Sequence, residues 1–302
     1  MPTVGGQAVL EGVMMRGPGN WAVAVRTPGG TIAQVSRTID SGMAHHWVLR
    51  LPVVRGVMAL GESLAIGFRA LAISANYAAQ EASADGEEVD TELSRGALVF
   101  AFVIAIGFAV ALFKVTPALI TDWLPIKSTG WFVIVEGLIR VTIFVAYLAV
   151  ISLLPDLRRV FQYHAAEHKA INAYEAGEEL KPEIVQRYSL IHPRCGTAFL
   201  LWVMVIAVFV YAFFGRPAWY WLVATRILLL PLIAGIAYEL IRFAGKHQNR
   251  VVMTILAPGL WLQRLTTREP SLDQLEVSIR ALQAVLLKEE SRVSDVRIEV
   301  MA

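Results

Sequence analysis

Long apolar runs dominate the chain, and four of them reach or approach the roughly 20 residues that a helix needs to cross the hydrocarbon layer of a bilayer. They are Ala97 to Ile120, with Lys114 and Pro117 near its far end; Trp131 to Leu154, with Glu136 and Arg140; Thr197 to Phe214, without a charge; and Ala218 to Phe243, with Arg226 and Glu239. Four transmembrane helices are predicted, in a mainly α, polytopic membrane protein. Ahead of them, residues 51–80 have helical character, with Arg55, Glu62 and Arg69 seven apart on one face of an otherwise apolar helix. That pattern predicts an amphipathic helix lying in the interface or dipping into the bilayer, and its charges count against a full crossing.

The remaining stretches follow other periods. In "NWAVAVRTPGGTIAQVSRTI" two β-rich runs flank Thr27-Pro28-Gly29-Gly30, which predicts a hairpin within a small β-rich segment over 1–50. Residues 81–96 open on "EASADGEEVDTE", an acidic linker. Residues 97–154 carry the first two spans, 155–196 a polar loop, 197–243 the second two spans, and 244–302 a final segment. Within that segment "VVMTILAPGLWLQRLTTREP" is too short to cross and is expected to be broken at Pro258 and Gly259 on the membrane surface. Ser271 and Gln274 then have the spacing of a capping box before a helix whose apolar face is Leu272, Leu275, Ile279, Leu282 and Leu286.

Composition agrees with the bilayer as the main partner: 56% of residues are hydrophobic and 17% charged, against about 25% charged in soluble domains. A net charge of +2, with no interleaving of basic and aromatic residues, excludes a nucleic-acid surface. Cys195 is the sole cysteine, so no internal disulfide forms. The opening "MPTVGGQAVLEG" lacks the features of a signal peptide. Lysine and arginine number seven in residues 1–96 and six in 155–196, but one each in the 121–130 and 215–217 turns. The positive-inside rule then places both termini and the middle loop in the cytoplasm of an inner, or plasma, membrane. No protein partner is legible.

The chemistry concentrates in "YHAAEHKAINAYE" and "RYSLIHPRCGTAF". On a helix continuing from the second span, His164, Glu167 and His168 share one face, with the imidazoles about 40° apart. That is the spacing at which two histidines reach one zinc ion. Glu175 lies in the same sector, two turns beyond His168 and too far along to share an ion. His192 and Cys195 occupy a turn just before the third span, and four of the chain's seven His and Cys residues fall within 32 positions. Brought together, His164, His168, His192 and Cys195 would form a tetrahedral divalent-metal site. Four ligands make such a site structural; three leave a place for water, with Glu167 as the natural base. Glu239 as a carboxylate ligand is disfavoured by its place at the end of the fourth span. Without a metal, the same side chains are polar groups bridging apolar and wet surroundings at a helix end, the reading that also suits His45 and His46. Within the spans, Glu136 and Arg140 read as a self-neutralising i,i+4 pair with Arg226 near an interface, or as parts of a conduction path.

The segments "GGQAVLEGVMMRGP", "YHAAEHKAINAYEAGEEL", "RYSLIHPRCGTAFL" and "MTILAPGLWLQRLTTREP" together resemble the YqhQ family of bacterial membrane proteins, in the same order over nearly the whole chain. The resemblance implies a metal-dependent enzyme of unsettled substrate, with His164, Glu167, His168, His192 and Cys195 as its positions of interest. Gly5, Gly6, Gln7, Glu11, Gly12 and Arg16 match its opening motif; read alone, those glycines are turn formers, since no phosphate loop is present. The leading expectation is a cytoplasm-facing metal site, with zinc as cofactor, used for metal-assisted hydrolysis. His164, His168 and His192 are its ligands, Cys195 a fourth ligand or a supporting group, and Glu167 the catalytic base. The alternatives are a membrane scaffold or assembly factor built on the same residues, and a transporter using Glu136, Arg140 and Arg226.

Overall fold

The computed structural model describes residues 1–79, 95–215, 219–247 and 249–301, so the acidic linker falls almost wholly outside them. The chain opens on a four-stranded antiparallel meander: β1 (Gly5–Val9), β2 (Gly12–Arg16), β3 (Asn20–Arg26) and β4 (Ile32–Thr38). The hairpin expected at Thr27 to Gly30 is its last turn, closed by Thr27 N–H on Thr31 O at 2.8 Å, with Gly30 at φ 83°. Gly5 and Gly6 are not turn formers; both lie inside β1. The real turn is Leu10-Glu11, where Glu11 takes φ 52° so that Val9 faces Gly12 across a two-residue loop.

The central strands "GVMMR" and "NWAVAVR" are apolar on both faces because both faces are covered. Val13, Met15, Ala22 and Ala24 pack against two later helices, α6 (Pro155–Glu175) and α12 (Leu272–Met301), while Val9, Met14, Trp21, Val23 and Val25 pack on Ile66 and Ala70 of α2 (Val54–Ala79). Short helices follow the sheet: α1 (Gly42–His45) and a 3-10 turn at Trp47–Arg50, where His46 is exposed. Next comes α2 (Val54–Ala79), which grips the sheet through its second half. Two of its three charges find partners: Arg55 pairs with Glu239 at 2.5 Å, and Glu62 with Arg16 at 2.8 Å. Glu239 is thereby committed to α2 and stands apart from the histidine segment.

The apolar helices are α3 (Arg95–Val110), a π turn at Ala111–Val115, α4 (Thr116–Trp123), α5 (Thr129–Ile151), α8 (Gly196–Ala212), α9 (Trp219–Leu228) and α10 (Leu230–Lys246). Their outer surfaces expose Phe100, Phe108, Leu138, Phe209 and Phe213, a coat that water does not tolerate at this extent and a bilayer does. The stretches long and apolar enough to cross are 54–78, 103–123, 129–151 and 224–245. The set differs from expectation at one member. The run predicted as Thr197 to Phe214 forms the 17-residue α8, shorter than the other candidates, while α2 qualifies by length and composition because its charged positions are few.

Proline explains two local departures. Pro117 has no N–H for the Phe113 carbonyl one turn back, the helix loosens into the π turn, and Arg140 Nε donates to that carbonyl at 3.1 Å. Pro155 likewise stops α5 from running on: Leu154 turns extended (ψ 125°), and α6 (Pro155–Glu175) starts afresh, so the histidine helix is not a continuation of the second span. Pro258, expected as a breaker, sits inside an unbroken α11 (Arg250–Thr266), and Gly259 beside it lets that helix approach Ala198 of α8. The last elements are α7 (Pro182–Val185) and α12 (Leu272–Met301). The capping box of α12 forms as expected, with Ser271 N–H on Gln274 Oε1 at 3.0 Å and Gln274 N–H on Ser271 Oγ at 3.3 Å. Leu275, Ile279 and Leu282 are buried against the sheet and α6, while Leu272 stays exposed.

Candidate metal centre

Alanines on the sheet side of α6, Ala166, Ala170 and Ala173, allow close packing and fix how the helix is rotated. The opposite polar side meets the 186–195 loop and gathers its carbonyls. Lys169 Nζ takes Gln186 O at 2.5 Å, Asn172 Nδ2 takes Ser189 O at 2.9 Å and Ile191 O at 3.1 Å, and His168 Nδ1 takes Leu190 O at 2.6 Å. The loop therefore runs down the helix and delivers Cys195, the N-cap of α8, to the histidines.

His164 Nε2 lies 3.3 Å from Cys195 Sγ, and the rings of His164 and His168 are 4.4 Å apart between centroids. One donor atom from each of His164, His168 and Cys195 lies within 4.8 Å of the others. A carbonyl can only accept, so both Nδ1 atoms carry the proton: His168 donates to Leu190 O, and His164 donates to Thr266 O at 2.8 Å. In the neutral imidazoles each Nε2 then keeps its lone pair. His192 comes close, its ring 5.9 Å from that of His168, but its Nε2 faces Glu175 Oε2 at 3.5 Å. The structure thus groups three of the four expected ligands and sets His192 beside them. Glu175, two turns beyond His168, stays apart from the trio and binds Arg194.

Glu167 is 5% exposed, and its side chain packs directly on Gly6 of β1. Burial raises its pKa above the ordinary carboxylate value, only partly offset by the neighbouring histidines. A side chain at Gly6 would place its Cβ 2.7 Å from Met14 O and 2.9 Å from Glu167 Cγ, so the glycine is what lets the strand close over this carboxylate. Burial alone would raise the Cys195 thiol and depress His164. Their mutual attraction outweighs it, holding Cys195 well below its usual value and lifting His164 to about 9. His192 is pushed down by burial. Glu175, despite partial burial, is drawn down to about 2 by hydrogen bonds from His192 and Arg194. A depressed carboxylate contributes stability above its unfolded pKa and loses it as pH falls through the folded one. The melting temperature is therefore expected to drop between pH 4.5 and about 2, and Glu175→Gln to flatten that part of the profile in detergent-solubilised protein.

The rest of the opening motif serves the same junction. Glu11 pairs with Arg159 and accepts from Tyr163 Oη at 3.3 Å, both on α6. Gln7 packs on Gly67 of α2, and Arg16 reaches Ser63 Oγ at 2.6 Å besides Glu62. Gln263 is the residue that sequence reasoning missed. Its amide accepts from His192 N–H and donates to His192 O, both at 2.9 Å, from a fully buried position on α11. Nothing in its sequence context marks a glutamine in an apolar helix as the clamp of a turn 71 positions away.

A family model described as a protein of unknown function (DUF1385) matches residues 51–288. The uncharacterized protein YqhQ of Bacillus subtilis is 33% identical over 294 residues, covering 94% of this chain and 92% of the relative. The chain belongs to the YqhQ family. No solved structure matches. The YqhQ family model begins at residue 51 and so includes the histidine and cysteine segments, while the strand that covers Glu167 lies before it. The YqhQ relative's coverage takes in nearly all of the present chain.

Proposed function

We propose that this membrane protein holds a divalent metal, with zinc the best match, on His164, His168 and Cys195, and uses it for hydrolysis on the cytoplasmic side. The observation that carries the reading is the orientation of the two imidazoles. Each donates Nδ1–H to a main-chain carbonyl and turns Nε2 toward one thiol, where a bound metal would displace any Nε2 proton. Outer hydrogen bonds of this kind orient metal-ligating histidines and raise their basicity. The spacing also suits the ion: a tetrahedral zinc with bonds of about 2.3 Å to sulfur and 2.0 Å to nitrogen separates those ligand atoms by about 3.5 Å, and Sγ and Nε2 stand 3.3 Å apart.

Three protein donors leave one position of a tetrahedron for water or substrate, the arrangement of catalytic sites. Bound there, zinc would supply a water acidified toward pKa 7. Glu167, which shares the face of α6 that carries both histidines, would take that water's proton, and burial raises its pKa above the ordinary carboxylate value. The distribution of lysine and arginine supports a cytoplasmic placement. A scaffold with a structural metal is the second reading, favoured by the low exposure of Glu167, His168 and Cys195, all at or below 5%.

Elemental analysis of the purified protein tests the centre. One equivalent of zinc is expected in the wild type and less than a tenth of that in His164→Ala and Cys195→Ser. Wild-type protein without bound transition metal, purified without chelator and unresponsive to added zinc, would overturn the reading. Glu167→Gln divides enzyme from scaffold: retained zinc with lost complementation of a deletion strain marks the enzyme, and retained complementation marks the scaffold.

A further inference from the structure

Where α8 and α10 leave the apolar layer beside the sheet, a cleft of about 540 Å³ opens between Thr3, Arg194, Phe199, Tyr238, Arg242 and Gly245. Its lining joins two guanidinium groups to aromatic and aliphatic walls. Arg194 is partly engaged by Glu175 and by Val4 O at 3.2 Å, which fixes the side chain at the rim. Gly245 leaves room for its stem: a Cβ there would stand 3.3 Å from Arg194 Cδ.

Arg242 differs. It senses Glu239, which is spent on Arg55, and among the described residues it forms no hydrogen bond or ion pair. A half-buried guanidinium with five donors and no acceptor is a demand for an anion. The side of α10 just beyond it, at Phe243, is exposed and apolar. Anionic at one end and hydrocarbon at the other describes a membrane lipid.

We propose that this cleft binds the phosphate headgroup of an anionic phospholipid, with Arg242 as the principal anchor, Arg194 as the second cation, and Phe199 and Tyr238 against the first carbons of the chains. The site stands on the cleft and its arginines, independently of the metal reading. A bidentate guanidinium–phosphate contact is the strong, oriented type of charge-assisted hydrogen bond. Phosphatidylcholine, which carries a compensating cation on the same phosphate, binds less well between two arginines.

The test is a thermal-shift titration of the full-length protein in neutral detergent with short-chain phosphatidylglycerol, short-chain phosphatidylcholine or inorganic phosphate. Phosphatidylglycerol is expected to raise the melting temperature saturably, phosphatidylcholine to do so only at much higher concentration, and phosphate alone not at all. Arg242→Gln is expected to weaken the phosphatidylglycerol midpoint by roughly 10-fold or more, the loss of one charged hydrogen-bonding partner. Equal response to both lipids, or an unchanged midpoint in Arg242→Gln, overturns the proposal. Saturation by phosphate at the same midpoint also overturns it, in favour of a soluble anion. Should Arg242→Gln melt below the wild type without lipid, Arg242→Lys keeps the charge and removes the fork, and an intermediate midpoint is then expected; an unchanged one counts against the site.

Discussion

Glu136→Ala is expected to cost about 3–5 kcal/mol, the range for removing one partner from a buried ion pair, and to be the most damaging single change among the apolar helices. Glu136 is 2% exposed, and its two carboxylate oxygens serve two cations: Oε1 pairs with Arg140 one turn along α5, and Oε2 with Arg226 of α9 at 2.6 Å. Arg226 also lies over the Tyr211 ring at 4.0 Å, and Lys114 approaches the same ring at 5.6 Å. Arg226 is therefore not a separate charge near an interface, and the i,i+4 pair is not self-contained. Remove the carboxylate and two desolvated guanidiniums face each other without a counterion. Denaturation in mild detergent reads the effect, together with the yield of folded protein. The triple replacement of Glu136, Arg140 and Arg226 by methionine is expected to recover most of the loss, since burial of charge itself brings little net stability. A Glu136→Ala cost below about 0.5 kcal/mol, the size of an exposed pair, would show that water reaches these groups.

Gln263→Leu ranks second. The substitution preserves volume but strands the N–H and C=O of His192, both buried by α11 and both now satisfied by one amide at 2.9 Å. Each orphaned group costs about 1–3 kcal/mol, so a loss of about 2–6 kcal/mol is expected from a side chain that touches neither histidine of the trio. The turn from His192 to Cys195 would lose its anchor, and zinc content is expected to fall alongside stability. Gln263→Glu supplies a harsher control: an ionised carboxylate would face the His192 carbonyl from a fully buried position, so its cost is expected to match or exceed that of Gln263→Leu. If Gln263→Leu melts like the wild type, the clamp does not hold the turn.

What could be read from the chain beforehand follows periodicity. Apolar runs longer than a bilayer is thick announce themselves, and so do imidazoles one turn apart. The hairpin at Thr27 to Gly30 and the capping box at Ser271 are local chemistry, complete within a few residues. Less legible is anything decided by a distant segment. The central strands carry no alternation because two layers cover them, and only the fold says which layers. The reason for Gly6 is a carboxylate 161 positions later. Pro117 and Pro155 interrupt helices that periodicity alone runs straight through, whereas Pro258, expected to break one, does not, because α8 and α5 support α11 on either side of it. The His192 placement turned on Glu175, whose approach to the loop depends on how far the chain travels between positions 175 and 192.

The extramembrane core draws on strands near residue 4, a helix ending at 175 and another beginning at 272. A core that joins β2 and β3 to α12 cannot close until α12 itself has left the ribosome. All the apolar segments in between emerge earlier, so lipid insertion precedes completion of this core, and long loops must be closed in the step that follows. α6 therefore meets its packing partner α12 only after those insertions, and the helix that carries both imidazoles is fixed in place late.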